Sequence, residues 1–335
     1  MAMVNIQMIP YCQVACLCAA AYSLHLHLAT RRPIDEDHVT HSNDPGEIRH
    51  IRIEASRLDS GLYLVSTPIG AARDITLRAL DVLNSAELLA AEDTRTLRHL
   101  MDIHGIPLRG RRIIACHDHN EGRQSKALNE AYEAGLSVAY CSEAGTPLVA
   151  DPGFRLVRDA AAAGVRVHAV PGPSAALAAL TVSGLPSDRF VFAGFPPQPA
   201  AARLKWLKDV AAIDATAIIF ESPRRVKHTL EKLCEIDADR NIVLCRELTK
   251  KFEEILRGNP AELVSRIPDA GLKGEVVLVL DQPQQAVPNE EDIEAVLLEL
   301  LNEMSVRDAA AAAAERFGIS RRDAYQQALK LGESK

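Results

Sequence analysis

The sequence predicts an α/β protein, with two α/β domains in succession and a small helical domain closing the chain. Three observations carry that expectation. From about residue 60 onward, short apolar, β-branched runs alternate with helix-like segments, and each run ends in a loop bearing Gly, Pro, Ser or Thr. The alternation breaks at Ser183-Gly184-Leu185-Pro186 and then begins again. A second break, residues 282–288 (Q-P-Q-Q-A-V-P), reads as a linker, and only helical patterns follow it. The chain divides accordingly into residues 1–59, 60–185, 186–281 and 289–333.

Residues 1–59 stand apart. Residues 8–30 are apolar and Cys-rich, whereas residues 31–57 are polar and charged. The apolar part loosely resembles a signal peptide, but no Lys or Arg precedes it, and Pro10, Gln13 and two histidines interrupt it. It is also marginal in length and purity for a membrane span. The expectation is a disordered or non-natural extension, with the natural start further on, for instance at Val39.

The first domain opens with a strand at 62–65, then S-T-P-I-G (66–70) and an amphipathic helix at 76–83. This is a phosphate-loop position without phosphate-loop chemistry, since G-x-G-x-x-G and G-K-[ST] are both missing. A plain turn and a ligand loop stay equally open. A second strand, 87–91, ends in A-E-D-T-R (91–95). Glu92, Asp93 and Arg95 are costly to leave idle at a strand's carboxyl end; the alternative is a helix start, with Asp93 as cap and Arg95 solvated. A third strand, 112–116, leads into H-D-H-N-E (117–121). Histidines two apart before a helix serve capping as well as a metal, and nothing completes a site, so no metal is expected.

A helix at 124–134 precedes a strand at 138–141, the loop S-E-A-G-T-P-L-V-A-D-P-G, a helix at 155–163 and a strand at 165–170. Pro171-Gly172-Pro173 follows, with Ser174 as N-cap of a small-residue helix. Two loops of small residues therefore sit after two strands of one unit, where open α/β sheets bind ligands. Gly and Ala let backbone approach a ligand closely. The five strands form one doubly wound domain.

The second domain reads as strands at 190–193, 216–220, 242–245 and 275–280, with a helix at 201–211. E-S-P-R-R (221–225) and R-E-L-T-K-K (246–251) bring Arg224, Arg225, Arg246, Lys250 and Lys251 to strand ends. They are either scattered surface charge or a basic rim suited to a phosphate-bearing partner. Helices at 290–304, 306–317 and 320–330, with a turn at Gly318, look like a helix-turn-helix, and a helical cap or dimerisation piece is the alternative.

Composition bounds the function. A chain of 335 residues, 47% hydrophobic and 25% charged, suits a soluble globular protein. A net charge of −7 argues against a non-specific nucleic-acid coat, though not against a local basic face. Aromatic content of 4% makes base stacking an unobvious recognition mode. The seven cysteines complete no zinc pattern and read as reduced, cytosolic thiols.

In order along the chain, L-Y-L-V-S-T-P-I-G, D-I-T-L-R-A-L, A-E-D-T-R, H-N-E, A-G-T-P-L-V-A-D-P-G, P-G-P-S-A, S-G-L-P-S-D-R-F, E-S-P-R-R, R-E-L-T-K-K-F-E-E and K-G-E resemble the ribosomal RNA small-subunit methyltransferase I family. That family belongs to the tetrapyrrole-methylase-like methyltransferases. The resemblance covers residues 61–281, and the C-terminal helices resemble the family's appended domain. It implies two α/β domains of the tetrapyrrole methylase type, with S-adenosylmethionine as methyl donor in the cleft between them and no metal. It further implies transfer to the ribose 2′-oxygen of a cytidine in 16S rRNA, near the decoding centre of the 30S subunit. A cytoplasmic homodimer, away from membranes, goes with that reading.

By analogy with the wider fold, donor contacts fall to Ser66, Thr67, Pro68, then Ala144, Gly145, Thr146, Val149, then Ser174 and Ala175, with Glu221 from the second domain. Residue type and strand-end position, rather than the resemblance, single out Glu92 or Asp93 as base and Arg95 or Lys250 as the group steadying developing charge. Arg224, Arg225, Arg246 and Lys251 are then the RNA contacts. The family's usual Asn-Leu after P-I-G is Ala71-Ala72 here, and its usual Asp is Glu143. Alternative readings are a precorrin-type tetrapyrrole methyltransferase and a non-catalytic ligand-binding regulator.

Overall fold

The computed structural model describes residues 53–116, 121–151, 153–268, 270–283, 290–317 and 319–333. The expectations for residues 1–52, for His117, Asp118, His119 and Asn120, for linker residues 284–288 and for Gly318 lie outside the described residues.

β1 (Gly61–Val65), β2 (Leu88–Ala91), β3 (Ile113–Ala115), β4 (Ser137–Cys141) and β5 (Val167–Val170) form an all-parallel sheet in the order β3-β2-β4-β1-β5. Strand alternation sends Tyr63 and Val65 to one face, against α1 (Leu77–Ser85) and α2 (Thr94–Ile103). Leu62, Val138 and Tyr140 face the other way, against α3 (Glu121–Glu133) and α4 (Phe154–Ala162). Helices on both faces make the sheet doubly wound, as the apolar runs predict. β1 and β4 are central neighbours and β5 borders β1, so the loops after these three strands meet at one edge.

Residues 53–59 correct the expectation that everything before residue 60 is disordered. The Glu54 N–H donates to Asp81 Oδ1 at 2.7 Å and the Ser56 N–H to Ser85 Oγ at 3.2 Å, while Ile53 and Leu58 pack on the core beneath α1. Apolar residues at 53 and 58 are too sparse to register as a periodic element, but two anchors suffice to dock a segment on a helix already formed.

The second sheet has the order β6-β7-β10-β8-β9, from β6 (Phe190–Gly194), β7 (Thr216–Glu221), β8 (Ile242–Arg246), β9 (Glu254–Gly258) and β10 (Val276–Leu280). Only β6 and β7 run parallel; the remaining pairs are antiparallel. β9 was not legible in the sequence because E-I-L-R-G is a half-polar edge strand. One face of the sheet packs on α6 (Ala200–Ala211), α7 (Val226–Ile236) and α8 (Pro260–Arg266). Its other face, through Ile218, Val243, Val277 and Val279, packs on Ala176, Ala179 and Leu180 of α5 (Ala175–Ser183). The helix that sequence assigns to the first domain therefore covers the second sheet. Its residues are mostly apolar, and it buries Ala176, Ala179 and Leu180 while Leu177 and Thr181, one turn apart, stay exposed.

α9 (Glu290–Leu300), α10 (Val306–Phe317) and α11 (Arg321–Glu333) share a small core of Leu297, Ala310, Ala313, Ala324 and Ala328. Ser320 caps α11 as expected, accepting from the Asp323 N–H at 3.1 Å.

Candidate active site

Three loops are fastened together at the carboxyl edge of the first sheet. Thr67 and Gly145 exchange both backbone hydrogen bonds, at 2.9 and 3.0 Å, joining S-T-P-I-G to A-G-T-P. The Thr146 hydroxyl donates to Pro173 O at 2.8 Å, adding the P-G-P-S loop. A Cβ on Gly172 would stand 2.9 Å from Ser66 Cβ, so glycine is what lets these loops close up.

The fastened loops form one wall of a cleft of about 560 Å³, within the range that takes cofactor-sized ligands. Pro68, Ala144, Gly145, Thr146, Val149, Ser174 and Ala175 line it. Ser66 and Thr67 do not; both are buried behind Pro68, where they brace the loops. Thr67 Oγ1 is buried without a hydrogen-bond partner, and Ser174 sits at the N-cap of α5 without making a capping bond. Small side chains along the wall, and the Ser174 hydroxyl on it, suit a polar ligand held by backbone.

On the acidic side, the alternative weighed for A-E-D-T-R is what the geometry holds. Asp93 is the N-cap of α2, accepting from the Arg95 and Thr96 N–H groups, and it pairs with the Arg95 guanidinium at 2.8 Å. Those hydrogen bonds from Arg95, side chain first and backbone second, hold its carboxyl down at about 2. The Arg95 side chain is 90% exposed, and Glu92 Oε2 accepts from the Glu143 N–H at 3.2 Å. None of Glu92, Asp93 and Arg95 lines the cleft; Thr96, one turn on, does.

Asp151 is the acid that sequence reasoning passed over. It lines the cleft, and burial, reinforced by the charge of Glu92, raises its carboxyl to about 6 despite a hydrogen bond from Ser142. The signal was present as a lone carboxylate in the apolar run L-V-A-D-P-G. Leu148 and Ala150 both have positive φ, 74° and 66°, so this loop is held in a costly conformation on the cleft wall.

The opposite wall comes from the second sheet. Glu221 lines it, but its carboxylate is spent on Thr229 Oγ1 at 2.6 Å, the Ser222 N–H at 2.7 Å and Arg225 at 2.9 Å. Arg225 therefore corrects its expected place on a basic rim: its side chain is 19% exposed and turned inward onto a carboxylate that is 0% exposed. An unpaired buried Glu221 would be costlier than a lost surface charge. Arg246 is likewise engaged, with Glu254 at 2.9 Å and Lys273 O at 2.9 Å. Arg224 and Lys251 are exposed.

Lys250 lines the cleft and bonds Glu247 and Glu275, each at 3.0 Å. Burial alone would lower its pKa, but the two carboxylates outweigh that and raise it. Phe195, Phe220, Gly274 and Val277 complete this wall and were not singled out, because no local pattern shows that β6, β7 and β10 open onto the same space. Among the described residues, no group of three or more His, Cys, Asp or Glu could hold a metal, and no helix is long and apolar enough to cross a membrane.

The family of tetrapyrrole (corrin/porphyrin) methylases matches residues 61–264, which take in the whole first sheet and the second from β6 to β9, ending within α8 and before β10. A domain described as the RsmI C-terminal HTH domain matches residues 287–332. Proteins named ribosomal RNA small subunit methyltransferase I are similar over most of the chain. The one from Mesorhizobium japonicum is 45% identical, over 84% of this chain and 96% of its own. That from Vibrio cholerae is 42% identical, over 81% and 96%. The chain belongs to the ribosomal RNA small subunit methyltransferase I family. Solved structures share the fold: the methyltransferase CobJ at 19% identity and TM-score 0.53, covering 67% of this chain and 94% of that one. A cobalt precorrin-4 methyltransferase aligns at 17% identity and TM-score 0.52, covering 66% and 94%.

Proposed function

We propose that this methyltransferase uses S-adenosylmethionine to methylate the ribose 2′-oxygen of a cytidine in 16S rRNA, near the decoding centre of the 30S subunit. The observation that carries the reading is the cleft itself: a wall of small-residue backbone loops meets a half-buried carboxylate, Asp151, and a lysine, Lys250. The bound donor supplies a methyl group on a sulfonium. The chain's part is to hold the ribose hydroxyl in line with that methyl, at roughly 3 Å, and to take up the hydroxyl proton.

Ala144, Gly145, Thr146, Val149, Ser174 and Ala175 are the residues that would hold the donor, with Pro68 beside them and Ser66 and Thr67 bracing the wall. For the proton, Asp151 is favoured over Asp93, whose oxygens are occupied, and over Glu92, which does not reach the cleft surface. The Asp151 carboxylate would take the proton that the ribose hydroxyl gives up as the bound donor's methyl group passes to its oxygen. Lys250 stays protonated and offsets negative charge at the mouth. Arg224 and Lys251 are the phosphate contacts. A cytoplasmic homodimer, with domains at 60–185, 186–281 and 289–333, completes the proposal on the strength of the family resemblance.

The test is incubation with labelled S-adenosylmethionine and 30S subunits from a strain lacking the modification, followed by mapping of 2′-O-methylation. One labelled cytidine near the decoding centre is the expected result. No label with donor binding intact would move the acceptor to a small molecule such as a precorrin. No donor binding would favour a regulator.

A further inference from the structure

Phe195 is an apolar ring left 54% exposed on the wall of the cleft. Exposed phenylalanines are ordinary on flexible loops, but this one is fixed. A register shift between Phe192 and Gly194 bulges β6 just before it, and Gly194 takes φ 75°. Bulges of this kind re-aim side chains beside functional sites. The loop that follows is P-P-Q-P, and Arg203, buried, donates to two of its carbonyls, Pro197 O at 3.1 Å and Gln198 O at 2.7 Å. Arg225 adds a bond to Gln198 Oε1 at 2.8 Å, so the Glu221–Arg225 pair braces the loop as well.

The ring itself stands edge-to-face with Phe220, at 5.5 Å and 69°, and Phe220 in turn with Phe192, at 4.8 Å and 67°. A T-shaped contact can cover at most one face of Phe195, and the ring lines the cleft while remaining 54% exposed. Two arginines and three prolines thus hold one aromatic face in place at the entrance to the site.

We propose that Phe195 is a stacking platform for the target nucleobase. This rests on the RNA-methylating reading above. To bring a ribose hydroxyl to the cleft wall, the target nucleotide must leave its neighbours' stack, and an unstacked base is what proteins catch on aromatic rings. Pre-organisation of the loop spares the entropy of ordering it on binding. The donor has the fastened loops of the facing wall. Donor affinity, measured beside subunit KM, separates a ring that serves the donor's adenine from one that serves the target base.

The experiment compares Phe195→Leu, Phe195→Ala and Phe195→Tyr with the unaltered protein on 30S subunits. It measures donor affinity by calorimetry, KM and kcat for the subunit, and thermal stability. Stacking predicts a loss of roughly 5- to 100-fold in kcat/KM for both Leu and Ala, carried mainly by KM, with donor affinity within twofold and recovery in Tyr. Full activity of the leucine variant would reduce Phe195 to an apolar filler and overturn the proposal. Weakened donor binding with an unchanged KM for the subunit would assign the ring to adenine and also overturn it. Failure of the unaltered protein to methylate the subunit defeats the functional reading itself, and is distinguishable from both.

Discussion

Thr249 Oγ1 accepts a hydrogen bond from the Ala71 backbone N–H at 3.1 Å, and so ties a loop of the second sheet to the S-T-P-I-G loop of the first. The contact is close because Gly70 has no side chain: a Cβ there would stand 2.5 Å from both Lys250 Cγ and Thr249 Oγ1. Thr249 holds φ 63° and Glu247, two residues before it, φ 51°, so the second loop is strained where the first one meets it. Ala71 contributes here through its backbone N–H.

Thr249→Val keeps the shape and removes the acceptor, and is expected to cost about 1 kcal/mol in urea unfolding. Gly70→Ala must push the two loops apart, and a greater loss of donor affinity follows. Calorimetry with S-adenosylmethionine reads the second effect; unchanged affinity in Gly70→Ala would show that this junction does not shape the cleft.

Asp151→Asn removes the base proposed for the ribose hydroxyl, and kcat is expected to fall roughly 10²- to 10⁴-fold with donor affinity kept. The unaltered enzyme should lose activity below about pH 6, as Asp151 takes a proton and can accept no other. Stability runs the opposite way. A carboxyl whose folded pKa is raised contributes stability that is fully present below its unfolded value and lost as pH rises through about 6. Asp151→Asn should therefore melt higher than the unaltered protein at pH 8 and show no such advantage below pH 4. A pH–rate profile without the acidic limb would dismiss Asp151 as base.

Asp93 has the other sign. Its carboxyl is held at about 2, so the stability it lends is present above the usual carboxylate range and disappears as pH falls from about 4 through 2. Asp93→Asn preserves an N-cap but loses the pair with Arg95, so it should melt slightly below the unaltered protein at pH 7, converge with it below about pH 2, and keep its methylation. Asp93→Ala should melt lower. If Asp93→Asn abolished methylation while melting normally, Asp93 would return as the base.

Arg224 and Arg225 are adjacent, yet they are expected to fail in different assays. Arg225→Ala strands the buried Glu221 carboxylate and should cost about 3 kcal/mol of stability, read by chemical denaturation. Arg224→Ala and Lys251→Ala should leave stability alone, weaken RNA binding, and each lower the salt-dependence slope by about 1. An unchanged slope in both would remove them from the RNA path.

The division between the two arginines shows where sequence reasoning reaches and where it stops. Unbroken apolar runs at residues 62–65, 138–141 and 242–245 marked strands, because a strand covered on both faces must be apolar on both. Loop chemistry at 144–149 and 171–175 marked one cleft wall, because small residues after a strand are legible without knowing the neighbours. Charge at 224 and 225 looked alike in sequence. Which guanidinium turned inward depended on where Glu221 lay in the folded sheet.

The sequence by itself determined the α/β class, the order along the chain of every strand but β9, the helical C terminus and the family to which the chain belongs. All of these follow from local patterns or from motifs in fixed order. Only the tertiary structure decided that α5 covers the second sheet, that Ser66 and Thr67 brace the cleft rather than face it, and that Asp151 and Phe195 share it. The reason is physical: burial, a shifted pKa and an open aromatic face are properties of what surrounds a residue, and those surroundings come from segments far apart in the chain.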